Sequence, residues 1–97
     1  MIKHIVFFKI REEVDKEKHL NDIKIRLEDL NDKIDVIHHL EAGINLSQSP
    51  NASDIALYSE FQSNEDLNKY QKHPDHQEVV NYLKKIVTET RVVDYED

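Results

Sequence analysis

Cysteine is absent from all 97 residues of this chain, which excludes a disulfide framework, thiol catalysis and a thiolate metal site together. Glycine occurs once and proline twice, leaving no Gly-rich phosphate loop and little flexible linker. Basic clusters are missing too: 13 Lys and Arg stand against 20 Asp and Glu, a net charge of −7. A phosphate backbone or an anionic bilayer surface would be repelled, so neither nucleic acid nor membrane is expected as a partner. The stretch from Met1 to Lys9 has too short an apolar run for a signal peptide or a membrane span. A cysteine-free, charge-rich chain of this kind is expected in a reducing cytoplasm. Internal repeats and low-complexity tracts are also lacking.

What remains has the length of one domain, residues 1–97. A chain this short buries only about 60–65% of the surface it exposes when unfolded, so its stability is marginal unless something adds burial. Residues 2–11 read as a strand that is apolar on both faces. Ile2, His4, Val6, Phe8 and Ile10 lie on one side; Ile5 and Phe7, between Lys3 and Lys9, lie on the other. Asp15 has the character of a helix cap. After it, Leu20, Ile23, Leu27, Leu30 and Ile34 make one apolar stripe on a long helix.

Residues 36–46 predict a second strand, holding His38, His39 and Gly43, and 47–53 a turn around Pro50 and Asn51. Residues 54–62 predict a third strand that pairs with the second as a hairpin. Ser63 to Asp66 resembles a capping box and opens a short helix through Leu67 and Tyr70. Pro74 lacks an amide hydrogen and restricts His73 before it, so the helix breaks there. Val79, Val80, Leu83 and Ile86 then mark a second helical segment to about Val87, and 91–96 predicts the last strand.

The order β-α-β-β-α-β is that of a ferredoxin-like α+β protomer: a four-stranded antiparallel sheet with helices on one face. Its other face is bare, yet Ile5 and Phe7 lie there. An exposed apolar sheet face on a small acidic protein marks an interface, and two such sheets packed together would supply the missing burial as a dimeric α/β barrel. A homodimer is therefore expected.

Three stretches carry a resemblance: Lys3-His4-Ile5-Val6-Phe7-Phe8, then Tyr70-x-x-His73-Pro74-x-His76, then Val92-Val93-Asp94-Tyr95. In this order and spacing the chain resembles the stress-responsive A/B barrel family over nearly its whole length. The resemblance implies sheet-to-sheet dimers and, in each protomer, a pocket between sheet and helices. Plant members that cyclise linear polyketides line that pocket with a Tyr and a His, which map to Tyr70 and His76, and with a strand-one His, which maps to His4. Another pocket histidine of the family, on strand three, has no counterpart, and Ile55 stands at the matching position. That departure counts against polyketide cyclisation. No cofactor is implied.

Taken residue by residue, His76 falls two positions after Pro74, in the opening turn of a helix. The partial positive charge there disfavours imidazolium and would leave His76 a neutral proton acceptor near pH 7. Tyr70 is the matching donor to a substrate carbonyl or enolate. The competing reading is that His73 and His76 cap the kink and pack its corner. His4 fits a hydrogen-bonded core histidine first and a pocket lining second. His38 and His39 point to opposite faces, and no spaced ligand set points to a metal. Asp94 to Asp97 reads as a solvated acidic end. Three functions stay open: a protein binding or transforming a small hydrophobic molecule, of lyase or cyclase type; a non-enzymatic stress-protective or structural homodimer; and a cofactor-free or haem-linked monooxygenase.

Overall fold

The computed structural model describes residues 1–97. Strand β1 runs Ile2–Ile10 and β3 runs Ile55–Phe61, with β2 (His39–Ile44) between them in the chain and β4 (Val87–Glu96) at the end. The antiparallel sheet has the order β2-β3-β1-β4. Strand β1 is thus paired on both edges, and its two faces differ in burial. His4, Val6, Phe8 and Ile10 are buried under the helices, while Phe7 on the opposite face is 41% exposed. Ile5 pairs with Tyr58 on one side and Val93 on the other, and His4 stands across from Asp94.

Helix α1 (Lys16–Glu28) begins where Asp15 accepts a hydrogen bond from the Lys18 amide. The expected long helix is shorter: it tightens into a 3-10 turn over Asp29–Asp32, and Ile34 reaches the core from beyond it. Lys24 and Glu28 both bond the backbone of Ala42, and Asn31 donates to the Leu40 carbonyl at 2.9 Å, so α1 is fastened over β2. The second strand is correspondingly shorter than expected. Val36 and Ile37 precede it and pack against the core from a connector.

Helix α2 (Asn64–Lys72) starts at Ser63, whose hydroxyl accepts from the Asp66 amide at 3.1 Å. It ends at His73, which is extended (φ −64°, ψ 136°), and α3 (Pro74–Lys84) begins at once with proline in its first turn. The break falls where Pro74 requires it. Strand β4 starts four residues earlier than expected, at Val87, because as an edge strand it is exposed along nearly its whole length and lacks an apolar alternation.

Seventeen buried apolar residues form one contiguous core between sheet and helices, with Ile23, Phe61 and Tyr70 fully enclosed. Each such aliphatic or aromatic side chain contributes roughly 1.5–3 kcal/mol by leaving water. Helix α3 is held on its outer flank to α1. Tyr82 donates to the Asp22 carboxylate, and the Arg26 guanidinium lies 4.0 Å over the Tyr82 ring while its Nε donates to Asp22 at 3.1 Å. On its inner flank α3 runs along β4, and the space between them is incompletely filled. No helix is long and apolar enough to cross a membrane.

Candidate functional site

The space left between α3 and the β1–β4 pair is a cavity of about 400 Å³. Its walls are largely aliphatic and aromatic: Val6 and Phe8 from β1, Val79 and Leu83 from α3, Val92 from β4. Size and lining are those of a small-molecule site. Three polar aromatic side chains converge at one end, namely His4, Tyr70 and His76.

Tyr70 comes from the last turn of α2, where the apolar stripe turns it inward against Phe61, ring centroids 5.0 Å apart. It is wholly buried, and its hydroxyl is the one buried side-chain polar atom in the chain without a hydrogen-bond partner. Burial raises its pKa well above the ordinary phenol value, so the hydroxyl keeps its proton and serves as a donor.

His76 sits at the third position of α3, its ring centroid 4.4 Å from that of Tyr70. Its Nδ1 lies 3.0 Å from the Gln71 carbonyl oxygen. A carbonyl can only accept, so Nδ1 carries the hydrogen, and in the neutral ring Nε2 is an acceptor. Burial is the main influence lowering the His76 pKa below its ordinary value, with the nearby imidazoles of His4 and His73 adding to it and the Gln71 bond opposing it. The direction is the one expected from sequence. The leading cause is desolvation rather than the helix terminus.

His4 combines two roles. It is 4% exposed and lines the cavity, its ring 6.2 Å from Tyr70, and its Nδ1 contacts the Asp94 carboxylate at 2.5 Å. The carboxylate accepts, which fixes the tautomer and directs Nε2 away from Asp94. Asp94 is therefore no mere solvated strand end. The signal for it lay in the ends of the chain: pairing the first strand with the last, antiparallel and nearly flush, sets residue 4 opposite residue 94.

Two residues expected in the pocket lie outside it. His73 is the N-cap of α3, its Nδ1 accepting from the Asp75 amide at 3.1 Å, and it is not among the residues that line the cavity. Ile55 opens β3 opposite Phe8 and Ile44, where it is 1% exposed in the core, and it borders a separate hollow beside Gly43 and Leu46. Val92, expected in the last strand but not in the pocket, walls the cavity from β4 together with Thr88 and Thr90, which lie in the part of the strand that the sequence did not reveal.

Comparison with known proteins agrees with this frame. The family profile described as "Stress responsive A/B Barrel Domain" matches residues 2–97. The stress-response A/B barrel domain-containing protein DABB1 of Arabidopsis thaliana is 33% identical over 98% of this chain. The match covers 46% of DABB1, and 30% of a second stress-response A/B barrel domain-containing protein of Arabidopsis thaliana, so the chain spans less than half the length of these curated relatives. Among solved structures, a dimeric protein of unknown function with a ferredoxin-like fold from Bacteroides fragilis is 38% identical, with a TM-score of 0.88 over 99% of this chain and 95% of that one. The hydroxynitrile lyase of Passiflora edulis shares the fold at 18% identity, with a TM-score of 0.84 over 97% of this chain and 90% of its own. The sequence, the sheet order and these matches agree: the chain belongs to the stress-responsive A/B barrel domain family.

Proposed function

We propose that the chain, as a homodimer, binds a small and largely apolar carbonyl compound in the cavity and acts on it with Tyr70 and His76 in acid–base roles. The observation that carries this is the unpartnered Tyr70 hydroxyl in the wall of an apolar cavity. An unsatisfied buried hydroxyl costs about 1–3 kcal/mol, and a ligand oxygen accepting from it would remove that cost. His76 Nε2 would take a proton from the carbon beside the carbonyl. The C–H electron pair becomes the C=C bond of an enolate while the C=O π pair moves onto oxygen, where the Tyr70 hydroxyl stabilises the charge. His4, oriented by Asp94, offers a second ring nitrogen to the same end of the cavity.

Dimerisation is supported by the outer sheet face. Phe7, Val93 and Tyr95 are 41%, 52% and 48% exposed there, beside Ile5 and Ala56. Three polar side chains of that face satisfy one another: Lys3 donates to Glu60 at 2.7 Å and to Tyr58 at 3.1 Å. A second copy could cover such a face at little electrostatic cost, and the Bacteroides fragilis relative is described as dimeric.

The test is a binding screen with hydrophobic ketones and phenols against the native protein and Tyr70→Phe. Ligands that bind the native chain and lose roughly five- to tenfold in Tyr70→Phe support the reading. Absence of any binder sinks it. A second reading, a non-enzymatic homodimer with a vestigial cavity, is favoured by one contact: the His76 Nδ1 bond to Gln71 also closes the last turn of α2.

A further inference from the structure

The end of the cavity opposite the Tyr70–His76 pair contains one cationic residue. Lys84 lines it there, in the last turn of α3, with Thr88 of β4 close by in the same lining. Its ammonium forms no ion pair and no hydrogen bond within the chain, although acidic residues outnumber basic ones by seven. The sequence explains why. The helical and post-helical neighbours at three and four residues are Val80, Asn81, Val87 and Thr88, none of them a carboxylate. Between the two ends the lining is largely apolar, with Val6, Phe8, Val79 and Leu83. His76 and Lys84 are eight residues apart on one helix, which is about 12 Å at 1.5 Å per residue.

We propose that Lys84 recognises an anionic group, so that the ligand class is an elongated apolar molecule with a carbonyl at one end and a carboxylate at the other. This rests on the ligand-binding reading above and narrows it. The carbonyl meets Tyr70 and His76, the chain lies along Val6, Phe8, Val79 and Leu83, and the carboxylate emerges at the rim beside Lys84. A cation at the rim of an apolar slot fixes which way round such a molecule enters, because the opposite orientation would bury the carboxylate among aliphatic side chains.

The experiment compares three probes by calorimetry: an oxodecanoate with its ketone beside the terminal methyl, the methyl ester of that acid, and the matching ketone without a carboxylate. The native chain should bind the acid roughly fivefold more tightly than the ester, the effect of one partly exposed charge pair, and the preference should shrink with added salt. Lys84→Gln should abolish the preference and leave ketone binding unchanged, and Lys84→Glu should reverse it. If the ketone binds but the acid is not preferred, or the preference survives in Lys84→Gln, the assignment of Lys84 is overturned and the cavity reading stands. If none of the probes binds, the cavity reading falls and this inference with it.

Discussion

The rings of Tyr70 and His76 lie 4.4 Å apart, centroid to centroid, although they belong to two helices separated by the break at His73 and Pro74. The pair exists because the chain turns there. A continuous helix would have carried position 76 nearly two turns onward from position 70 rather than folding its ring against that of Tyr70.

Replacing Tyr70 by Phe removes an unsatisfied buried hydroxyl and almost no volume. Stability should stay within about 1 kcal/mol of the native value, and any change should be toward greater stability. Urea unfolding measures this. A loss of several kcal/mol would mean that the hydroxyl has a partner essential to the fold.

His76→Ala loses the bond to the Gln71 carbonyl and should cost about 1 kcal/mol. The same residue sets a pH dependence. Its folded pKa lies below the ordinary 6.5, so below that pH the unfolded chain takes up a proton that the folded chain resists. The contribution is present above pH 6.5 and is lost as pH falls from there toward the lowered folded value. Thermal unfolding against pH should show this limb in the native chain and a shallower one in His76→Ala.

A second acid limb belongs to Glu60. Hydrogen bonds from Lys3 and Tyr58 pull its pKa from 4.5 down to about 2. The stabilisation it gives is present above pH 4.5 and fades as pH falls toward 2. Glu60→Gln should remove this limb and leave the one above it untouched, as read by the same melts.

Phe7→Glu would place a carboxylate in the middle of the outer sheet face. If that face is a dimer contact, the cost is on the order of several kcal/mol. Sedimentation at micromolar concentration should then give twice the chain mass for the native protein and a monomer, or unfolded chain, for the variant. A well-folded native monomer would refute the barrel arrangement.

Asp94→Asn keeps the shape but replaces the carboxylate facing His4 Nδ1 with an amide. With Asp94 partly exposed, the loss of stability should be near 1 kcal/mol, whereas binding of a carbonyl probe should weaken as His4 loses its fixed tautomer. Chemical-shift perturbation at the His4 ring would register the change of partner directly.

How far the fold was legible depended on where each element keeps its signal. Strand β1 could be read because its period-two apolar run, Ile2 to Ile10, is long and unbroken by turn residues. The α2–α3 break could be read because Pro74 enforces it through local backbone geometry. Strand β4 was half hidden: Val87 to Thr90 sit at an open edge, so burial imposes no pattern on them. Val36 and Ile37 misled in the other direction, since apolar residues can serve the core from a connector as well as from a strand. In the site, Tyr70 and His76 were nameable from their motif. Asp94 was not, because its partner is settled by strand register across ninety residues, and no local pattern carries that.

The junction at His73 makes the Tyr70–His76 pair a caliper: one jaw is fixed in the core with α2, the other rides on α3, and the pivot is a single extended residue. What sets the opening of the jaws then lies on the far side of α3, where Tyr82 is pinned to Asp22 and Arg26 of α1. Across the two helices that clasp is a neutral phenol donating to a carboxylate, with a guanidinium stacked on the phenol ring. The gauge of a largely apolar cavity is in this way held by a polar clasp that lies outside it.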